Sequence, residues 1–483
     1  MASWDALPGG LRLDAHKQRS TAQPLRAASV SERFVLPLDQ HSGSPATPIV
    51  KPSERVRVGQ PIAQPGPGIS AWLHSPVSGE VLTIEPRAAP HRLGAPSLSI
   101  VIANDGRDER FESQIPFGNF EQLSPAEARN HIALGGIVGL GGAAFPTANK
   151  LERSLCESGP RLLLNGAECE PYISCDAVLM RERAADIVFG ARALMHVLCA
   201  KSCTIALEDD VPQSEAALRK AVADAADHRI DVRVVQSVYP AGGERQLIAT
   251  IFGVEVPHHG LPADTGIVCQ NVGTAAAIAK WVRDGEPLIR RIVTVTGDGV
   301  REPGNLETRI GTPIASIVAD CGGYTERMSR LIMGGSMMGF PLPHDELPVL
   351  KATNCIIAAS ALDLQPRGPE MPCIRCGACS QVCPAFLLPQ QLHWYLHPYD
   401  SEQLDRHGLL DCIECGCCDY VCPSQIPLAE RFRESKPLLT RELEARINAD
   451  AARARYQARN ERLARLEAEH RAKLAEKRGR RGS

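Results

Sequence analysis

The sequence predicts a multidomain chain of α/β and α+β modules, and three observations predict it. The chain has 483 residues, too many for a single core. Between residues 119 and 287, helix-like segments alternate with short β-type runs, the pattern of a sheet covered by helices. Near the C-terminus two cysteine runs repeat one spacing: Cys373-x2-Cys376-x2-Cys379-x3-Cys383-Pro384 and Cys412-x2-Cys415-x2-Cys418-x3-Cys422-Pro423. The net charge of −3 singles out no nucleic-acid partner, and none is expected.

Taken in order, residues 1–30 are polar and unpatterned and read as a flexible arm. Residues 31–118 are rich in Pro, Gly and short β-type runs. Val56 to Ala63, followed by Ser75 to Val81, reads as strands joined by tight turns. This stretch resembles the barrel-sandwich fold of biotinyl and lipoyl carriers. The tip where those carriers present a lysine is Gly66-Pro67-Gly68-Ile69-Ser70, so a structural module is expected. In the α/β domain, 119–287, Ser124-Pro125-Ala126-Glu127 is a capping box with proline at the first helical position. Strands are expected at Leu162 to Leu164, Thr204 to Leu207 and Val232 to Val235, with a helix over Asp176 to Leu198. Residues 288–365 alternate short β-type runs around a small helix near Pro313 to Asp320, a compact α+β module. Residues 366–435 hold the cysteine runs, and 436–483 form a basic tail. Arg441 to Ser483 carries 13 Lys+Arg against 7 Asp+Glu and reads as one charged helix.

The N-terminus, MASWDALPGG, has neither a basic start nor an apolar core, so no secretory signal is expected. The longest apolar stretch, Ile187 to Ala200, is interrupted by Arg192 and His196 and is too short to span a bilayer. An intracellular protein not integral to a membrane is the expectation.

Each cysteine run is the bacterial ferredoxin pattern for a cubane [4Fe–4S] cluster. Three thiolates two residues apart line a tight loop, and the fourth, before a proline, reaches the other cluster. One cluster is therefore assigned to Cys373, Cys376, Cys379 and Cys422, the other to Cys412, Cys415, Cys418 and Cys383. A pair of all-cysteine zinc sites leaves the third in-phase cysteine and both prolines unexplained. Cys417 falls outside the spacing and reads as a packed spare thiol. Ile374, Ile413 and Ile426 are expected to cover the clusters, since apolar cover tunes potential.

A second feature is the loop Gly135 to Pro146, with Gly139, Gly141 and Gly142 at its centre. Glycines admit a phosphate close to the backbone, and the next helix offers free N–H groups. A helix precedes this loop, so it is not the dinucleotide fingerprint, and no Walker-type Gly-Lys-Ser/Thr is present. Lys150 lies one turn into the following helix. Asn165-Gly166-Ala167-Glu168-Cys169-Glu170-Pro171-Tyr172 follows a buried strand, where α/β sheets bind ligands. Tyr239 to Glu244 and Asn271 to Thr274 are further polar, glycine-bearing loops. Cys169 reads as a bystander. His258-His259 matches no metal site without a carboxylate or third His in register.

Together, GGIVGLGGAAFPTANKL, NGAECEPY, YPAGGERQ, QNVGTA, MGGSMMGF, PCIRCGACSQVCP and DCIECGCCDYVCPSQIPL resemble the RnfC family, through which electrons enter the Rnf ion-translocating complex. The resemblance covers about residues 30 to 435. It implies a barrel-sandwich β module, an α/β FMN domain, an SLBB-type β-grasp module, a two-cluster ferredoxin domain and a charged C-terminal helix. The flavin domain is also similar to the NADH-oxidising flavoprotein subunit of respiratory complex I. That similarity implies FMN held by Gly139, Gly141, Gly142, Lys150, Asn165, Tyr239, Glu244 and Asn271. It implies NADH as substrate, with Glu168 and Glu170 at the reacting site. Ala144 and Ala167 depart from the family pattern, and FMN is the firmer of the two implications. The implied partners are the integral membrane subunits of the complex, NADH and ferredoxin; the implied place is the cytoplasmic face of the bacterial inner membrane. A soluble flavin iron–sulfur reductase, similar to cobalamin reductases, and a non-enzymatic electron conduit are the rival readings.

Overall fold

The computed structural model describes residues 7–92, 94–112, 120–152, 159–364 and 368–479. The first module has two small antiparallel sheets. One runs in the order Arg33–Pro37, Pro96–Asn104, Gly79–Ala88, Arg55–Val56; the other Thr47–Pro48, Pro61–Gln64, Leu73–His74. Phe34 and Leu36 are fully buried at a spacing of two, one face of their strand turned inward, whereas Ser99 to Ile102 are buried on both faces of theirs.

The α/β domain is built on a four-stranded parallel sheet ordered Ile230–Val235, Ser202–Glu208, Arg161–Gly166, Ile267–Asn271. Leu162, Leu163 and Leu164 are all fully buried, as a strand covered on both faces demands. From Arg161–Gly166 the next two strands add on one side, and Ile267–Asn271 then returns to the other. The order therefore reverses between Arg161–Gly166 and Ile267–Asn271, and ligands of such sheets bind outside the strand ends at that point. The sequence pattern does not single out Ile267–Asn271 as a strand. The single helix expected over Asp176 to Leu198 is two helices, Cys175–Glu182 and Ala184–Leu198. They part at Arg183, whose φ of −131° is non-helical and whose guanidinium makes two bonds to Glu307, at 2.7 and 2.8 Å.

The α+β module is a six-stranded sheet ordered Arg26–Ala27, Gly304–Arg309, Arg290–Thr296, Cys355–Ser360, Met328–Met333, Phe340–Leu342. Its first strand comes from the segment expected to be a flexible arm, and that expectation is corrected over residues 7–30. Leu11 and Tyr239 exchange backbone bonds at 2.7 and 2.9 Å, and Gly10 N–H donates to Val382 O at 2.9 Å. His16 stacks on Tyr172, with ring centroids 4.5 Å apart. Arg19 pairs with Asp298 at 2.6 Å. Several of the arm's polar residues, Lys17, Arg19 and Ser20 among them, are partners for other modules. Gly9 and Gly10 sit at φ +70° and +75°, where a side chain would meet Val382 and Tyr239 backbone at 2.9 and 2.7 Å. Buried Lys351 ties three modules in the same way, donating to Trp72 O and Gly136 O at 2.7 Å each.

In the cysteine domain, short helices gather round a core of Leu392, Leu404, Leu409, Phe432 and Leu439. The terminal helix Leu428–Gly479 starts inside this core, so the expected boundary at 435 falls within it. From Glu444 to Ala475 its residues are exposed. The expected boundaries at 118 and 365, and residues 1–6, lie outside the described residues. Among the described residues no helix is long and apolar enough to cross a membrane.

The arm generates a stability test. Lys17 Nζ donates to Glu208 at 2.7 Å and to Asp210 at 3.1 Å, and both Lys17 and Glu208 are buried. Lys17→Met leaves Glu208 buried without its cation. Equilibrium denaturation is expected to show a loss of about 3–5 kcal/mol; a loss below about 1 kcal/mol, the scale of an exposed pair, would contradict the buried strap.

Candidate functional site

The reversal point of the parallel sheet gathers the polar loops. Asn165 and Asn271 are register partners at the ends of their two strands. Asn271 caps the helix Val272–Asp284, its Oδ1 accepting from Gly273 N–H at 2.8 Å while its Nδ2 donates to Asp176 at 2.6 Å. Asn165 turns its own loop, Oδ1 accepting from Ala167 N–H at 3.0 Å, and donates to Gly242 O at 2.8 Å. The glycine loop folds over this point. Leu140 N–H donates to Thr274 Oγ1 at 2.9 Å, and the buried Arg291 donates to Leu140 O at 2.5 Å.

Gly141, Gly142 and Ala143 are exposed at the crest of the loop. Neither backbone strain nor crowding by this chain requires glycine at Gly139 or Gly141. A Cβ there would meet nothing closer than Phe145 backbone at 3.6 Å and Asn271 side chain at 3.4 Å, respectively. Gly142 has φ +109° and open space around it. The loop thus leaves a cradle that side chains would fill, which is the form a phosphate-bearing cofactor needs. Beside it Lys150 Nζ donates to Glu244 Oε1 at 2.7 Å.

The two glutamates are held otherwise than expected for freely reacting groups. Glu168 accepts from Asp176 N–H at 3.0 Å, Ala177 N–H at 3.2 Å and the Cys175 thiol at 3.2 Å, capping the helix Cys175–Glu182. Burial, then the neighbouring Asp176 carboxylate, pushes its carboxyl up to about 8. Glu170 accepts from Met337 N–H at 3.1 Å and Met338 N–H at 2.8 Å, and burial pushes it up to about 7. Each carboxylate thus already accepts from backbone amides, with lone pairs to spare. Sequence reasoning misses Asp176, Thr274 and Arg291, which brace the loop. Only Thr274, one turn past the Asn271 cap, has a local signal.

In the cysteine domain the two runs have the same backbone course. Arg375 and Glu414 both have φ +58°, Gly377 and Gly416 both +77°, and Phe386 and Gln425 +54° and +53°. Each run curls back at matching places, and two cavities result. One is lined by Cys373, Cys376, Cys379 and Cys422, with Ile374 and Ile426; the other by Cys412, Cys415, Cys418 and Cys383, with Ile413. Four cysteines, three from one run and one from the other, are the donor set a cubane cluster takes. Buried Cys417 also lines the second cavity, in contact with Cys415. Ile426 is buried, but Ile374 is 67% exposed and covers little.

The two centres meet at Tyr239. Its hydroxyl donates to Cys415 O at 2.6 Å. Burial first, and Glu170 next, raise its phenol far above its ordinary range, so it remains a donor. Around it lie Cys417, Cys169, Met337, Leu11, Leu13, Val382 and Ile413, a mainly apolar patch in which Tyr239, Cys415 and Cys417 are buried.

Four family models match the chain: the RnfC barrel sandwich hybrid domain over residues 5–107, the Nuo51 FMN-binding domain over 132–280, the SLBB domain over 292–341 and the 4Fe-4S dicluster domain over 371–426. Similar curated proteins include a subunit of an ion-translocating oxidoreductase complex from Pseudomonas aeruginosa, 47% identical over 97% of this chain and 60% of the relative. The protein of the same description from Vibrio cholerae is 43% identical over 96% of this chain and 60% of the relative. The chain thus spans about 60% of the length of these relatives. An NAD+-reducing [NiFe]-hydrogenase structure aligns at TM-score 0.47 and 19% identity, over 67% of this chain and 63% of that one. The chain carries an FMN-binding domain and a 4Fe-4S dicluster domain.

Two outcomes follow from the geometry. Gly141→Val puts branched carbon where the loop is open, and is expected to lower bound FMN at least tenfold while iron content holds; stoichiometric FMN in the variant would contradict the cradle. Glu168 binds its proton more tightly when folded than its ordinary value of 4.5, so between roughly pH 5 and 8 the folded state holds more protons and stability falls as pH rises. Glu168→Gln removes that proton uptake. Denaturation at several pH values is expected to give a shallower decline for the variant; an unchanged slope would place the proton elsewhere.

Proposed function

This chain belongs to the RnfC family of ion-translocating oxidoreductase complexes, its likeness to a curated member extending over 97% of its length, and from that premise we propose that it passes electrons between NADH and the ferredoxin side of such a complex. The observation that carries the reading is the bond from Tyr239 to Cys415 O, which joins the glycine-loop domain directly to one cysteine cavity. FMN supplies the exchange between two-electron and one-electron chemistry, and the two [4Fe–4S] clusters supply one-electron steps.

The chain's own residues bind, orient and exclude water. Gly139, Gly141 and Gly142 would hold the FMN phosphate, with Lys150, Asn165, Glu244 and Asn271 shaping the rest of the pocket. Glu168 and Glu170 brace the loops that border the nucleotide. Cys412, Cys415, Cys418 and Cys383 would hold the inner cluster, and Cys373, Cys376, Cys379 and Cys422 the outer one. The burial of these residues fits that order: Cys415 is buried against the joint and Cys418 in the core of the cysteine domain, whereas Cys376 is exposed. Exposed Ile374, Met371 and Trp394, the last with Arg375 over its ring at 4.3 Å, surround the outer cavity. That face suits contact with an electron-accepting partner, here the membrane subunits of the complex or ferredoxin. The exposed basic helix offers a charged surface to an anionic cytoplasmic leaflet, and a peripheral place at the inner membrane follows.

Anaerobic mixing with NADH tests the reading. Both the flavin band and the broad cluster absorbance are expected to bleach. Tyr239→Phe, with FMN and iron retained, is expected to slow the cluster phase severalfold and leave the flavin phase alone. No bleaching of either band by NADH would contradict the function. Equal slowing of both phases would contradict the route through Tyr239.

A further inference from the structure

We propose that His258, His259 and Asp405, with Asp411 orienting His258, form a binding site for a divalent d-block cation, Zn2+ above others, that bridges the α/β domain and the cysteine domain. The histidines sit in the loop between the helix Glu244–Phe252 and the short turn Pro262–Thr265. His259 has φ +57°, a conformation that costs a non-glycine residue and marks places held for a purpose. The bend brings the adjacent imidazoles together, with ring centroids 3.7 Å apart. Opposite them, Asp405 comes from the helix Ser401–Arg406 and Asp411 ends the turn Leu409–Asp411. No local spacing foretells the set, because His258 and Asp411 are 153 positions apart.

The atoms stand as ligands of one ion would. Single donor atoms of His258, His259 and Asp405 lie within 4.8 Å of one another. His258 Nδ1 is hydrogen-bonded to Asp411 Oδ2, the carboxylate contact that orients a metal-binding imidazole and leaves its other ring nitrogen for the ion. His259 Nε2 and Asp405 Oδ1 are 3.4 Å apart. Two donors each about 2.0–2.1 Å from a tetrahedral ion are separated by about 3.3–3.4 Å. Asp405 Oδ1 is buried and has no hydrogen-bond partner among the described residues, which a bound cation would supply. Two imidazole nitrogens and one carboxylate oxygen form a donor set for zinc or a neighbouring metal, not for Ca2+ or Mg2+. Arg245 approaches the far oxygen of Asp411 at 3.4 Å and is anchored to Gly260 O at 2.9 Å, so it orients that carboxylate and leaves Oδ2 toward His258.

The alternative is a pair of His–Asp ion pairs without metal. It leaves Asp405 Oδ1 buried without a hydrogen bond, with His259 Nε2 standing 3.4 Å away. The site would tie the docked domains together one residue before Cys412, at the inner cavity.

The test uses the full chain with its flavin and iron in place, freed of loose metal by anaerobic dialysis against EDTA and then titrated with zinc chloride. One zinc per chain is expected to survive gel filtration. His259→Ala and Asp405→Asn are each expected to weaken zinc binding at least tenfold with iron and flavin contents unchanged. Zinc K-edge absorption of the unmutated protein is expected to show nitrogen and oxygen at about 2.0–2.1 Å and no sulfur at about 2.3 Å. No retained zinc, equal retention by both variants, or a sulfur shell that puts the zinc on cluster cysteines would each overturn the site. Should one variant lose its iron, the other variant and the absorption spectrum decide.

Discussion

The hydrogen bond from Tyr239 to the Cys415 carbonyl is the constraint on which the rest of the molecule depends. Electrons cross only short gaps, so two redox modules on one chain are useful only if docked in fixed register. The joint meets that need from both sides. On one side, the parallel sheet delivers its loops to the reversal point between Arg161–Gly166 and Ile267–Asn271. On the other, the run from Cys412 to Cys418 curls at Glu414 and Gly416, exposing the carbonyl of Cys415 to Tyr239. Leu11, Leu13 and Met337 pack against buried Tyr239 and Cys415, and burial strengthens the bond.

Other contacts hold that joint. The arm passes between Tyr239 and Val382 at a place where only glycine fits, at Gly9 and Gly10. Glu170 reaches from the loop after Arg161–Gly166 to the amides of Met337 and Met338, fixing the α+β module against the same patch. A carboxylate on two amides is a charge-assisted contact, stronger than a neutral one. Its burial raises its proton affinity, so the same side chain is both a brace and a group sensitive to pH.

Much of this was legible in the sequence, and the physics explains which part. The cysteine runs could be read because a cluster imposes its spacing on consecutive residues. The capping box at Ser124 was legible because both of its bonds, to and from Glu127, stay within three residues. The central strand was legible as an unbroken apolar run at Leu162 to Leu164. The arm was not, since Lys17 and Arg19 find partners nearly 200 to 280 positions away. The split at Arg183 was hidden because Glu307, its partner, belongs to another module. The backbone partners of Glu168 and Glu170 were hidden for the same reason in miniature: no side-chain motif announces that a carboxylate accepts from amides of another segment.

The central claim is a relay in which one cavity takes Cys383 with Cys412, Cys415 and Cys418 and lies against the Tyr239 joint, while the other takes Cys422 and opens to solvent. An anaerobic crystal structure of the loaded protein, with anomalous scattering recorded at the iron edge, tests it most directly. The account predicts iron in both cavities, with Cys383 and Cys422 each bound to the cluster of the opposite run and the Cys412 cluster nearer the Gly139–Gly142 loop. Iron in only one cavity, Cys383 bound to the Cys373 cluster, or the Cys373 cluster nearer the loop would contradict it.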